Sequence, residues 1–179
     1  MLIRSSVLAL VAALSLSVSV DSVQAQEIPQ PLFGNCCSCS AAIKFRPALD
    51  LLKIGARVLP TPTAVIDPVA TGMTIDLSNA DGGLLSTTIP PGAFVAKNGG
   101  QKFIYKNKAA RLTGGVVSAV VQERNDQHGG WLISVKAYGD LSGATLAEMS
   151  TDVAIGTSSF FDTSDWDQRS KGWRKKFQQ

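Results

Sequence analysis

The strongest constraint on the fold is a period of two in the apolar side chains of residues 101–141. In FIYKNK, Phe103 and Tyr105 fall on one face of an extended chain. Along WLISVKAYG, one face is shared by Trp131, Ile133, Val135 and Ala137. Between them, VVSAVV at residues 116–121 is almost continuously apolar and β-branched, which is typical of a strand covered on both faces. The stretch therefore predicts three consecutive β-strands.

Two polar linkers predict hairpins. The linker at residues 124–130 ends in paired glycines, which can take the positive φ that a hairpin loop needs. A second alternation begins at Met73, is interrupted by the turn sequence NADGG at residues 79–83, and returns to Ile89. Both segments are therefore expected to fold back on themselves as antiparallel pairs.

The remaining segments are read in the same way. Residues 50–59 (DLLKIGARVL) predict either a strand with a bulge at Gly55 or a short helix, and the neighbouring strands favour the strand. Residues 146–155 (LAEMSTDVAI) predict one or two short strands. Since proline cannot donate to an interior ladder and no proline follows Pro91, the second half is expected to supply the central strands and the first half the edges and turns. The fold class predicted is an all-β antiparallel β-sandwich of about seven to nine strands, a single domain over residues 43–179.

The N terminus matches a secretory signal peptide over residues 1–25. One early cation, Arg4, precedes an apolar run at residues 7–20, and Val23 and Ala25 place small residues at the positions a signal peptidase reads. The apolar run is shorter than the roughly 20 residues of a membrane-spanning helix. We therefore expect a secreted or periplasmic protein with no transmembrane segment after cleavage.

Residues 26–42 (QEIPQPLFGNCCSCSAA) are expected to form a flexible leader, because Pro29 and Pro31 disfavour a helix. All the cysteines lie here: Cys36, Cys37 and Cys39. In an oxidising compartment, this odd number predicts one disulfide, with a spare thiol or a link between chains.

Three other roles of these cysteines are less favoured. Cys36 and Cys39 form a C-x-x-C pair, but redox chemistry requires that pair at the start of a helix, and no helical pattern follows. A closed zinc site takes four ligands, and the single histidine, His128, is far away in sequence. A lipid anchor on Cys36 is disfavoured, because Asn35 stands where a lipoprotein cleavage site has a small residue.

Basic and aromatic residues alternate near the C terminus. The candidates for contact with a polyanion or another surface are Arg169, Lys171, Trp173, Arg174, Lys175 and Lys176. The preferred interpretation is structural: Trp173 and Phe177 close the core on a last strand, and the lysines protect an exposed edge. A formal net charge of +3 is mild, so no nucleic-acid partner is expected.

Catalytic motifs are scarce. His128 falls in a glycine-rich turn and is expected to be a solvated turn residue, and the chain contains no nucleophile elbow, phosphate-binding loop or H-E-x-x-H motif. No cofactor is therefore predicted. Two clusters of oxygen ligands remain: Asp76, Asn79 and Asp81, and Asp162, Asp165 and Asp167. Their spacing differs from that of an EF-hand, so turn chemistry and solvation are preferred over calcium binding.

The segments KFIYK, VVSAVV and LISVKAYG together resemble the strand pattern of small β-sandwich domains in uncharacterised secreted bacterial proteins. The resemblance covers residues 71–161 and implies a sandwich without implying a reaction. The function predicted is an exported, non-catalytic binding or structural module, whose partner is a cell-surface polymer or another protein. The alternative is an exported enzyme acting on an extracellular polymer, with calcium assisting; in that case the acidic residues and His128 should converge in one concave site.

Overall fold

The computed structural model describes residues 30–32 and 39–176, which fold into two β-sheets packed face to face. The strands are β1 (Gln30–Pro31), β2 (Ser40–Lys44), β3 (Asp50–Val58), β4 (Met73–Asn79), β5 (Gly82–Ile89), β6 (Val95–Lys97), β7 (Lys102–Lys106), β8 (Gly115–Glu123), β9 (Trp131–Gly139), β10 (Glu148–Ile155), β11 (Ser158–Asp165), β12 (Asp167–Arg169) and β13 (Gly172–Lys176). Two one-turn helices, α1 (Pro68–Thr71) and α2 (Ala110–Thr113), and a 3₁₀ turn (Asn98–Gly100) lie in the connections.

The five-stranded sheet has the order β1-β11-β10-β4-β5, and the eight-stranded sheet has the order β12-β13-β2-β3-β9-β8-β7-β6. All neighbours are antiparallel except β1 and β11, which pair in parallel. The all-β antiparallel sandwich is confirmed, whereas the predicted strand number of about seven to nine is too low. The excess includes short strands that the alternation cannot reveal, such as the two-residue β1.

The core lies between the sheets and is built from alternate residues of each strand. The eight-stranded sheet contributes Leu52, Ile54, Ile133 and Val135, among others, and the five-stranded sheet contributes Ile75, Val153 and Phe160. Away from the strand ends, every second residue of β3, β4, β9 and β10 is buried, because successive side chains of a strand point to opposite faces. This alternation leaves one outward-facing surface on each sheet.

The predicted hairpins are confirmed. Strands β7, β8 and β9 are consecutive neighbours, and β4 pairs with β5 around the turn at residues 80–81. The predicted bulge at Gly55 is wrong: Gly55 pairs in regular register with Ser40 and Ser134. A Cβ at Gly55 would meet only the Ser40 carbonyl oxygen, at 3.8 Å, so no steric conflict requires a bulge there. The bulges lie instead at Leu77/Ser78 and Val116/Ser118.

The assignment of edges to the first half of the chain is only partly right. Pro31 does lie on the edge strand β1, where a missing donor is tolerated. However, β3 and β4 are interior strands of their sheets. Both are free of proline, so their backbones can pair on both sides.

The sheet begins before the predicted boundary at residue 43. Strand β2 starts at Ser40 and pairs with β3 and β13. Leu32 is fully buried, and its N–H donates to the carbonyl oxygen of Phe161 at 3.0 Å. The described parts of the leader segment are therefore integrated into the sandwich. No helix within residues 30–32 and 39–176 is long and apolar enough to cross a membrane.

Candidate functional site

The outer surface of the eight-stranded sheet is cationic. Because paired residues on adjacent strands share a face, the register places a set of basic side chains on this surface. We call this set the cationic face; its members are Lys44, Lys53, Arg57, Lys97, Lys102, Lys106, Lys136, Arg169, Arg174 and Lys176. Among the described strand residues, one acidic side chain, that of Asp167, shares it, and its Oδ2 accepts from Nη2 of Arg169 at 3.1 Å.

A single row crosses the centre of the cationic face. The register joins these residues on successive strands: Arg174, Ala42, Lys53, Lys136, Ser118 and Lys106. At about 4.8 Å between strands, the row from β13 to β7 is about 24 Å long. The basic residues therefore form a line perpendicular to the strands, long enough to follow an extended polymer.

Lys53 and Lys136 stand directly opposite each other on β3 and β9. Like charges at such a position destabilise a sheet, so the pair costs stability unless an anion lies between them. Within the described part of the chain, neither lysine forms an ion pair with a carboxylate. Lys97 and Lys102 are opposed in the same way on β6 and β7, and both pairs call for a negatively charged ligand.

A groove lies beside this pair and is called the basic groove. It has a volume of about 590 Å³ and crosses β13, β2, β3 and β9. Ala42, Gly55 and Ser134 line it with small side chains, whereas Lys53, Lys136 and Arg174 supply charge. The missing side chain of Gly55 thus keeps the centre of the groove open, which is a better account of this glycine than a bulge.

The structure divides the basic residues predicted near the C terminus. Arg169, Lys171 and Arg174 line the basic groove, and Lys176 follows on the same outer face. Trp173 is instead buried, and its indole N–H donates to the carbonyl oxygen of Ala144 at 2.6 Å.

Lys175 pairs with Ala41, on the core side of β2, and its Nζ donates to the carbonyl oxygen of Asp165 at 2.9 Å. Trp173 therefore anchors a strand, as the structural interpretation expected. The exposed edge is formed by β12, however, and not by β13, and Phe177 lies outside the described residues.

Sequence reasoning missed Lys44, Lys53 and Lys136, which line the same groove from β2, β3 and β9. They are scattered over some ninety residues of sequence, so no local motif contains them. A signal was nevertheless present, because Lys102, Lys106 and Lys136 occupy polar positions of the predicted strands at residues 102–106 and 131–139, which carry no acidic residue.

The cysteines do not form a described site. Cys39 is buried, and its Sγ accepts a hydrogen bond from the backbone N–H of Arg57 at 3.1 Å. Cys36 and Cys37 lie outside the described residues. The disulfide therefore stays a prediction.

The residues considered for catalysis or calcium lie apart in the structure. His128 is exposed in the loop between β8 and β9, whereas Asp76 lies on β4 of the other sheet. Asp81 accepts from the Thr145 hydroxyl at 3.3 Å, and Asp162 accepts from the Ser164 hydroxyl at 2.7 Å. Among residues 30–32 and 39–176, no three His, Cys, Asp or Glu side chains gather as metal ligands would.

The five-stranded sheet has the opposite charge. Its strands contain no lysine or arginine in the described chain, and its outer face carries acidic residues, namely Asp76, Glu148, Asp152 and Asp165. Burial raises the pKa of Asp152, and the neighbouring charge of Asp76 adds to this, against the hydrogen bonds from Ser159. The two outer surfaces of the sandwich thus differ in sign.

Together these features define an antiparallel β-sandwich with one cationic and one acidic sheet surface. Searches of family models, curated proteins and solved structures found no match to this chain.

Proposed function

We propose that the protein is an exported, non-catalytic binding module whose cationic face holds a linear anionic polymer, most simply an acidic polysaccharide outside the cell. The observation that carries the proposal is the opposed pair Lys53 and Lys136 beside the open basic groove. An anionic group seated there would neutralise both ammonium groups and remove their repulsion.

The length of the basic row supports a polymer over a single small anion. Arg174 and Lys106 lie at its two ends, about 24 Å apart at the usual strand spacing. A chain with repeated negative groups can contact both ends and the central lysine pair at once. Each contact is weak in water, so binding is expected to depend on several contacts and to weaken as salt rises.

The distribution of charge over the whole molecule also favours binding of a polyanion at the cationic face. The formal net charge is only +3, but the basic side chains of the eight-stranded sheet and the carboxylates of the five-stranded sheet are on opposite surfaces. A polyanion is therefore attracted to one surface and repelled from the other.

The aromatic content of the cationic face argues against single-stranded nucleic acid. Such ligands are usually held by exposed rings on which bases stack. Tyr138 is the aromatic residue of the described cationic face, and the guanidinium of Arg46 already lies 5.6 Å from its ring centroid. A sugar polymer with acidic groups needs no such stacking surface.

Export is part of this proposal. It is supported by the match of residues 1–25 to a secretory signal and by the cysteines at 36, 37 and 39, which suit an oxidising compartment. A secreted or periplasmic location would expose the cationic face to acidic polymers of the cell exterior.

The test compares two double variants of equal charge. Lys53→Gln with Lys136→Gln removes the central pair, while Lys108→Gln with Arg111→Gln removes two exposed cations near α2, away from the groove. Binding to polygalacturonate and to heparin is measured by calorimetry at low and high salt, with neutral dextran as the negative control.

We expect the removal of the central pair to lower polyanion affinity by about tenfold, because two surface ion pairs of about 0.7 kcal/mol each are lost. The matched control should change the affinity by less than about twofold. Equal losses in both variants, or no binding to either polyanion, would refute the proposal. Tighter binding to a DNA oligonucleotide or to anionic vesicles would assign the cationic face to a different ligand.

A further inference from the structure

Strand β5 is a long edge without charge. Among the described residues, it ends the five-stranded sheet, pairs only with β4, and extends over Gly82–Ile89 without a charged residue or a proline. The other edge strands of the described chain are short and differ in chemistry: β1 has two residues and contains Pro31, while β6 and β12 have three residues each and carry charge. These are devices by which proteins block unwanted strand pairing; β5 has a register shift at Leu84, but its regularly paired segment from Leu85 to Ile89 has neither charge nor proline.

The backbone of β5 is held by β4 on one side and is accessible to another strand on the other side. Pairing with β4 is regular from Leu85 to Ile89, because the register shift skips Leu84 of β5, before this segment begins. Leu85 packs against the core, whereas Ser86 and Thr88 are exposed. The strand is therefore held in an extended conformation that can accept another strand without first being ordered.

We propose that a second copy of this chain occupies this edge, with the two β5 strands antiparallel across a two-fold axis near Thr87. Such a contact places Ser86 of each copy opposite Thr88 of the other, and hydroxyl pairs of this kind stabilise adjacent strands. An edge that pairs with itself is destabilised by a charge at the axis, because that residue meets its own copy, and by like charges at positions 86 and 88, which face each other. The uncharged sequence of β5 satisfies this requirement.

The nearby carboxylates do not oppose the contact. Asp76 lies opposite Ser86 on β4, so the Asp76 residues of the two copies are three strand spacings apart. At about 4.8 Å per spacing this is about 14 Å. That distance exceeds the screening length of about 8 Å at physiological salt.

The axis of an antiparallel pair is perpendicular to the sheet, so each surface of the sandwich stays on its own side of the dimer. The two five-stranded sheets become one continuous sheet, and both cationic faces point in the same direction. If the proposed function holds, one polymer can contact both, which raises avidity by about 100-fold. This last consequence rests on the proposed function, whereas the dimer itself does not.

Two matched substitutions test the contact. Thr88→Lys changes β5 and removes the hydrogen bond between the hydroxyl groups of Thr88 and Thr74, which are 3.2 Å apart. Thr163→Lys changes β11 and removes the hydrogen bond between the hydroxyl groups of Thr163 and Ser150, which are 2.7 Å apart. Both sites are exposed on the same sheet surface and gain the same charge. Mass is measured by sedimentation equilibrium of the full chain under reducing conditions, which excludes dimers linked by cysteine.

We expect a dimer for the unchanged chain and for Thr163→Lys, and at least about tenfold weaker association for Thr88→Lys. A charge exchange then tests the register. Ser86→Lys with Thr88→Lys places lysine opposite lysine and should give a monomer, whereas Ser86→Lys with Thr88→Asp places lysine opposite aspartate, puts no second carboxylate opposite Asp76, and should restore the dimer.

Thermal unfolding of each variant shows that it is folded. A monomeric unchanged chain at every accessible concentration overturns the proposal, as does a dimer that ignores both lysine variants. Because mass is measured without polyanion, this outcome is independent of the binding test of Lys53 and Lys136.

Discussion

Asp50 is a buried carboxylate at the start of β3 that holds two distant connections together. Its Oδ1 accepts the backbone N–H of Arg46 at 2.8 Å, and its Oδ2 accepts the backbone N–H of Leu141 at 3.0 Å. Asp50 is 8% exposed, and Leu141 is fully buried. The carboxylate therefore connects the β2–β3 turn with the segment that leaves β9, which are remote in sequence.

Replacing Asp50 by asparagine keeps the shape and removes one acceptor. The new amide group would place a donor against the N–H of Arg46 or of Leu141, and the orientation towards Arg46 costs less because that residue is exposed and its bond to Asp50 is only partly buried. An unpaired buried N–H costs about 1–3 kcal/mol. We therefore expect Asp50→Asn to lower the free energy of unfolding by about 1 kcal/mol, and Asp50→Ala, which also leaves the buried N–H of Leu141 unpaired, to lower it by about 3 kcal/mol.

The matched control is Asp140→Asn. Asp140 also accepts a backbone N–H, that of Ser142 at 3.0 Å, but this pair is exposed, so water can replace the acceptor. We expect a change of less than about 0.5 kcal/mol in urea unfolding. Amide hydrogen exchange at Leu141 should accelerate in the Asp50 variants alone. If Asp50→Asn and Asp140→Asn destabilise the protein equally, the buried hydrogen bonds do not have the importance assigned to them.

Two further predictions concern backbone geometry and pH. Gly172 has a φ of +137°, and a Cβ there would collide with the carbonyl group of Ile43. Gly172→Ala should therefore lower the free energy of unfolding in urea by about 3 kcal/mol or more. Gly83 has open space around it, so Gly83→Ala should change this free energy by less than about 1 kcal/mol. Because the pKa of Asp152 is raised above 3.8, its ionisation opposes folding, and stability should rise as pH falls towards 3.8 from above. Asp152→Asn should reduce this rise in the free energy of unfolding when urea denaturation is measured as a function of pH. If the pH dependence is unchanged in the variant, Asp152 is not its source.

The architecture could be read from local periodicity. Residues 131–139 alternate, and so do residues 73–79, because one side of each strand packs in the core and the other meets solvent. Glycine-containing turns then fixed which strands are hairpin partners. Neither rule reports on contacts between segments that are far apart in sequence, so the pairing of β2 with β13 and of β3 with β9 could not be foreseen.

The candidate site shows the same division. The sequence by itself determined that Lys136 occupies the polar position of a strand, since the period of two assigns a face to each residue, whereas it left residues 50–59, which include Lys53, as either a strand or a short helix. Only the tertiary structure decided that the two lysines stand opposite each other, because strand order and register are set by the packing of the whole core. The same packing buried Trp173 and left Arg174 in the groove, although the two residues are adjacent in a single basic segment.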